Sequence, residues 1–264
     1  MGRLTAGAGP GHRLHIPRRS PVHALPPHCK LVAVLGFVLV VVSTPRHAVL
    51  AFVLYAVLLA AVAAAARLPA ATVAKRLLIE APFVAFAVLL PFTVPAGPGE
   101  SVAVAGTELS EPGLWGAWNI LAKGTLGVAA SVLLTATTDI HALLLGLRRL
   151  RLPPLLVQIA SFMIRYGDLV ADDLRRMTIA RRSRGFEARG VRHWKVLAGT
   201  AGALFIRTYE RGERVHLAML SRGGTGTAPL AGAAAAGASR AQWTAAAALP
   251  VAALAVRLLE GSVP

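Results

Sequence analysis

Two tripeptides of identical composition, Ser183-Arg184-Gly185 and Ser221-Arg222-Gly223, carry the clearest chemistry in this 264-residue chain. Each closes a helix-period run: Met177-Thr178-Ile179-Ala180-Arg181-Arg182 precedes the first, and Val215-His216-Leu217-Ala218-Met219-Leu220 the second. Glycine after the last turn is the commonest helix stop, because it takes up left-handed backbone without steric penalty. Arginine in that turn suits the negative end of the helix dipole. A single Arg-Gly is therefore a cap. The same cap behind two similar runs is more than that, since a guanidinium at a helix tip presents a planar fork that matches a carboxylate in a groove. A pair of similar acidic sites on a partner is the expected complement.

The elements that must position these tips are long amphipathic helices. Ile159, Phe162, Met163, Tyr166, Leu169, Val170, Leu174 and Met177 recur at three- and four-residue spacing, as do Phe205, Tyr209, Gly212, Val215 and Met219. Between them stand Asp172, Asp173, Arg175, Arg176, Arg207, Glu210, Arg211, Glu213 and Arg214, and Glu210–Arg214 is an i,i+4 pair in the favoured orientation.

Around this polar stretch the chain is oily. Hydrophobic residues make up 55% of it, charged residues 15%, and its mean hydropathy is +0.61. A soluble domain carries about 25% charged residues, so the composition points to a membrane protein. The net charge of +16 sits in blocks between apolar runs, which is the pattern of cytoplasmic loops rather than of a nucleic-acid-binding face. Five spans are expected: Lys30–Ser43, Ala48–Ala66, Leu77–Val94, Leu114–Thr137 and a weaker Ala241–Leu259. Glu80 and Pro82 fall near the start of the third, where an acid close to the interface costs little. Trp115 and Trp118 are interfacial anchors of the fourth, and Asp139 is a helix-terminus residue beyond it.

The expected organisation is a cytoplasmic N-terminal segment (1–29), spans one to four (30–147) with an external loop at 95–112, a cytoplasmic coupling region (148–226), and a linker with the last span (227–264). The N-terminus is then inside, in the bacterial cell membrane, and the lipid bilayer is itself a partner.

Other chemistry finds little support. The single Cys29 excludes a disulfide framework. His12, His15, His23 and His28 stand in a Pro- and Gly-rich segment without a ligand pair at a reliable spacing, so no metal site is expected. No phosphate-binding loop, nucleophile elbow or His-Glu-x-x-His motif occurs. The chain is expected to be non-catalytic and to hold no cofactor.

At this point the residues resemble a known family. Ser161-Phe162-Met163-Ile164-Arg165-Tyr166, Asp173-Leu174-Arg175-Arg176-Met177 and Ala180 to Phe186 are similar to the transmembrane T component of energy-coupling factor transporters, in its cobalt-type (CbiQ-like) branch. So are Leu204 to Val215 and Ala218 to Gly223, while Ser20 to Leu31 looks like the family's opening segment, with Pro26 and His28 departing from its acid and base. Gly224 stands where an aromatic often follows. The resemblance implies an all-α polytopic subunit with two cytoplasmic coupling helices. These rest on two ABC ATPase subunits, which hydrolyse the ATP, and pass their motion to a substrate-capture membrane subunit; a small accessory membrane subunit is compatible with this branch. It implies that Arg184 and Arg222 enter the ATPase grooves, with Ser183, Gly185, Ser221 and Gly223 beside them. It also implies Co²⁺ uptake for corrinoid synthesis, with Ni²⁺ or a vitamin as alternative cargo.

Two rival classes fit less well. A secondary transporter needs polar residues at mid-bilayer, and these spans read as almost uniformly Ala, Val and Leu. A nucleic-acid binder needs an uninterrupted basic face, whereas acids are interleaved throughout 172–213.

Overall fold

A computed structural model describes residues 20–95, 101–104, 107–186, 193–223 and 238–261. His12, His15, Gly224, most of the connector after it and the middle of the 95–112 loop lie outside these. The described residues fall into two compact units, one within Leu147–Ala235 and the other within His12–Gly146 and Ala236–Pro264.

The second unit is a helical bundle. A short α1 (Pro21–Ala24) leads to α2 (Pro27–Ser43), α3 (Val49–Ala65), α4 (Ala70–Leu77), α5 (Ala81–Thr93), α6 (Glu111–Thr137) and α7 (Ile140–Arg149), and α10 (Arg240–Gly261) returns to it. Ser20 opens α1 by accepting a hydrogen bond from the His23 amide (3.3 Å). Asp139 opens α7, its carboxylate accepting from the His141 amide (3.1 Å), as expected of a terminus residue. Among the described residues α6 and α10 are long and apolar enough to cross a membrane, and α2 and α3 are shorter apolar helices.

The core lies where α2, α3, α6 and α10 meet, around Phe37, Val41, Phe52, Tyr55, Leu59, Ala130, Leu133 and Ala253. The Tyr55 hydroxyl pairs with Thr44 Oγ1 at 3.1 Å. Outside this core the apolar residues turn outward: Leu35, Leu39, Leu50, Val57, Phe83 and Phe92 are all more than half exposed. An all-helical bundle this oily on its surface needs an apolar solvent, so the chain is a membrane protein.

α2 and α6 cap one another. Lys30 Nζ, at the start of α2, donates to the carbonyl of Thr137 (3.0 Å), the last residue of α6, and to Thr138 Oγ1 (3.3 Å). Lys123 Nζ, in the middle of α6, donates to the carbonyl of Val42 (2.8 Å) in the last turn of α2. Each ammonium satisfies a carbonyl that its neighbouring helix leaves unpaired and meets the negative end of that helix's dipole.

Three local features go beyond what the sequence showed. The expected third span, Leu77–Val94, holds α5 and opens in a 3₁₀ turn, Leu78–Glu80, that joins α5 to α4. Pro82 stands in the first turn of α5, where its missing N–H costs least, and Pro91 lies inside the same helix. Glu80 is buried (5% exposed), with Oε1 against Gly124 of α6 and without a hydrogen-bond partner among the described residues. Within the external loop, Ser101–Val104 and Thr107–Ser110 form an antiparallel pair with Val102 opposite Leu109. Ser110 then caps α6 by accepting from the Gly113 amide (3.3 Å).

α5 packs closely on α6 because Gly113 lets Pro91 in. A Cβ at Gly113 falls 2.7 Å from Pro91 Cα and 2.9 Å from the Leu90 carbonyl oxygen, both backbone atoms. Gly113→Ala is therefore expected to destabilise by about 1–3 kcal/mol, the usual range for overpacking. Gly116→Ala meets only Leu90 Cδ2 at 3.7 Å and is expected to be silent. Thermal unfolding in detergent checks this pair; equal midpoints would show that α5 yields freely.

Candidate functional site: two arginine-tipped helices

The unit within Leu147–Ala235 is built on α8 (Pro154–Ser183, 30 residues) and α9 (Trp194–Ser221, 28 residues). At 1.5 Å per residue each is more than 40 Å long. Pro153-Pro154 starts α8, where proline's fixed φ and missing N–H suit the first turn.

The apolar positions that the spacing picked out do meet. Phe162, Tyr166 and Val170 of α8 and Gly212, Val215 and Met219 of α9 line one groove of about 370 Å³. Arg211, which also lines this groove, donates from Nη1 to Asp173 Oδ2 at 3.1 Å, an ion pair that joins α8 to α9. Both side chains are largely buried, so this pair holds better than the exposed Glu210–Arg214 contact at 4.0 Å. Sequence reasoning named Asp173 and Arg211 but did not pair them. Met163, Phe205 and Tyr209 share the same periodicity and are instead strongly exposed.

The two Ser-Arg-Gly ends have one geometry. Arg184 sits at φ −89°, ψ 16° and Arg222 at φ −93°, ψ 11°. Gly185 and Gly223 follow in left-handed backbone, at φ 75° and 77°. The Gly185 amide donates to the Arg182 carbonyl and the Gly223 amide to the Leu220 carbonyl, both at 3.0 Å. At the first end the Phe186 amide also reaches back to the Arg181 carbonyl (3.1 Å), which completes a Schellman cap. Ser183 and Ser221 are exposed, and their hydroxyls donate back to the Ala180 and Ala218 carbonyls at 3.0 and 3.1 Å. The serines thus shape the last turn, and the arginines are what the turn presents.

Arg184 and Arg222 are exposed, and among the described residues neither guanidinium has a hydrogen-bond or ion-pair partner. Each is a five-donor cation held on a fixed backbone platform and left unsatisfied by its own chain. That arrangement can grip a carboxylate and transmit a push along a rigid helix. Among the described residues no three of His, Cys, Asp and Glu come together as a metal site.

Lys30, Lys123 and Glu80 are polar residues of the membrane bundle that the sequence reading left without a role. Lys123 carried the plainest signal, a charge in the middle of an apolar run.

The fold, helical apart from one short antiparallel pair, and its apolar surface define a membrane protein. The chain belongs to the cobalt transport protein family, CbiQ, which it matches over residues 18–230 and which comprises the T components of energy-coupling factor transporters. Two archaeal chains from Methanocaldococcus jannaschii are similar over shorter stretches. The uncharacterized protein MJ1571 is 35% identical over 100 residues, 38% of this chain and 34% of that one. The uncharacterized protein MJ1089 is 31% identical over 96 residues, 36% of each chain. The matched stretch thus spans about a third of either relative's length.

Proposed function

We propose that this chain is the non-catalytic coupling subunit of an ABC-type importer, passing ATPase motion to a substrate-capture membrane subunit that takes up a transition metal ion. The observation that carries this reading is the repeated helix end, in which two exposed arginines stand on the same cap geometry. Two like ends call for two like receptors, and two ATPase subunits supply them. Each arginine meets a carboxylate in an ATPase groove, and α8 and α9 carry the closing motion as rigid rods.

The cargo is Co²⁺ in the first instance, following the family's description, with Ni²⁺ or a vitamin as the alternative. The chain itself binds no cargo in this scheme. Reconstituting it with an ABC ATPase pair and a cobalt-type capture subunit in vesicles tests the reading. ATP-driven Co²⁺ accumulation is expected only when all components are present. Accumulation by this chain alone, driven by an ion gradient, would make it a secondary transporter.

The proposed orientation is a multi-pass subunit in the cell membrane with its N-terminus inside. Its support is the one-sided distribution of Lys and Arg and their absence from 95–112. In a variant lacking Cys29, a cysteine at Glu108 is expected to react with a membrane-impermeant thiol reagent in intact cells, and one at Asp172 to stay unlabelled. Labelling at 172 overturns the orientation.

A further inference from the structure

α9 divides in two by charge. Val196 to Ile206 contains no charged side chain, whereas Arg207, Glu210, Arg211, Glu213 and Arg214 follow in quick succession. The one polar side chain of the first half, Thr200, donates its hydroxyl to the Val196 carbonyl at 3.0 Å. No side chain in this half is left seeking water.

Among the described residues nothing covers most of this oily half. Trp194 is 71% exposed and Phe205 69%. Val196, Ala198, Ala201 and Ile206 are exposed too, and nothing approaches the Cβ positions of Gly199 and Gly202 within 4 Å. With about 100° between successive residues, these positions cover more than half of the helix circumference. A docked protein covers one face; a fluid apolar phase covers all that is open. A helix apolar on so much of its surface belongs in such a phase.

Length and flanks say where. Eleven residues rise about 16 Å, roughly half of a bilayer's hydrocarbon core, so the segment cannot span and has the length of an interfacial helix. Trp194 and Lys195 stand at its start, the residue types that settle at headgroup level. Around that start Arg189, Arg192 and Lys195 stand against the single acid Glu187, a balance that suits anionic headgroups.

We propose that Trp194–Ile206 lies in the interface of a bilayer containing anionic lipid, with Trp194 and Lys195 at the headgroups and the aliphatic and Phe205 side chains at the acyl boundary. α9 leaves the lipid at Arg207. Its first half is then a membrane-held end, and its second half carries Arg222 through water.

The test uses the full chain in vesicles of phosphatidylethanolamine and phosphatidylglycerol, without ATPases, so its outcome is independent of the coupling reading. Single spin labels are placed at Ala198, Ala201 and Glu213 after Cys29→Ser. Collisions with oxygen are expected to exceed those with a water-soluble nickel chelate at 198 and 201, and the order to reverse at 213. Chelate-dominated collisions at 198 and 201 would place the segment in water, and few collisions with either reagent would place it against protein; both overturn the proposal. A second measurement needs no cysteine variant. Lipids brominated on their acyl chains should quench an emission component that Trp194→Phe removes, and an unquenched Trp194 component refutes the interfacial position.

Discussion

The Arg184→Ala/Arg222→Ala double variant is expected to reach the membrane at normal levels and to lose metal uptake entirely. Both side chains are exposed and, among the described residues, unpaired. Their removal takes nothing from the chain's own packing, and surface changes of this kind usually stay within about 0.5 kcal/mol. The backbone bonds of Gly185 and Gly223 remain, so the helix ends keep their form. What changes is the complex. Stranding the buried carboxylate of a charge pair typically costs about 2–5 kcal/mol, which is roughly thirtyfold or more in association per end. Each single variant should weaken copurification with the ATPases or uncouple hydrolysis from uptake. Lysine should rescue only in part, since it keeps the charge and loses the fork. Arg175→Ala, at another exposed cation of α8, is the control expected to leave coupling intact; Arg192, a basic residue between the two helices, lies outside the described residues. A double variant that copurifies with its ATPases and transports at full rate reduces both ends to ordinary helix caps.

The long helices were legible because two independent signals agree in them. Apolar residues return every three or four positions, and a glycine stands where each run stops, so α8 and α9 end at Ser183 and Ser221 as the spacing required. The repeated Arg-Gly was legible for the same reason. The 3₁₀ turn that opens the third span was not, because a hydropathy window carries no backbone geometry. The mutual capping of α2 and α6 was not legible either. A lysine in an apolar run announces that it needs an acceptor, but Val42 becomes that acceptor only once α2 lies antiparallel beside α6. Likewise Asp173 and Arg211 are thirty-eight positions apart and pair through the packing of two helices, which no local pattern encodes. Ser183 and Ser221 looked like part of the presented surface because they adjoin the arginines. Helix geometry turns their hydroxyls back onto the preceding turn.

If aim matters as much as charge, the glycines can be tested with both arginines in place. Gly185 and Gly223 hold φ of 75° and 77°, and among the described residues no atom lies within 4 Å of a Cβ added at either. A side chain there meets no steric obstacle among those residues, only the conformational one. An L-residue in left-handed backbone is disfavoured by about 1–2 kcal/mol, and a β-branched one fits that region worst. Gly185→Val and Gly223→Val are therefore expected to unwind the last turn and point each guanidinium elsewhere. The loss at each end is bounded by that same 1–2 kcal/mol, about tenfold in ATPase association, smaller than the loss from removing the arginine. Asparagine tolerates left-handed backbone and caps helices in the same way, so Gly185→Asn and Gly223→Asn should retain most of the uptake. Measuring ATP-driven uptake and copurification for the two pairs separates the causes. Valine and asparagine variants that fail alike would indicate a clash of any side chain with the ATPase surface. Valine variants that transport normally would show that the direction of the arginine is immaterial and that charge alone couples the subunits.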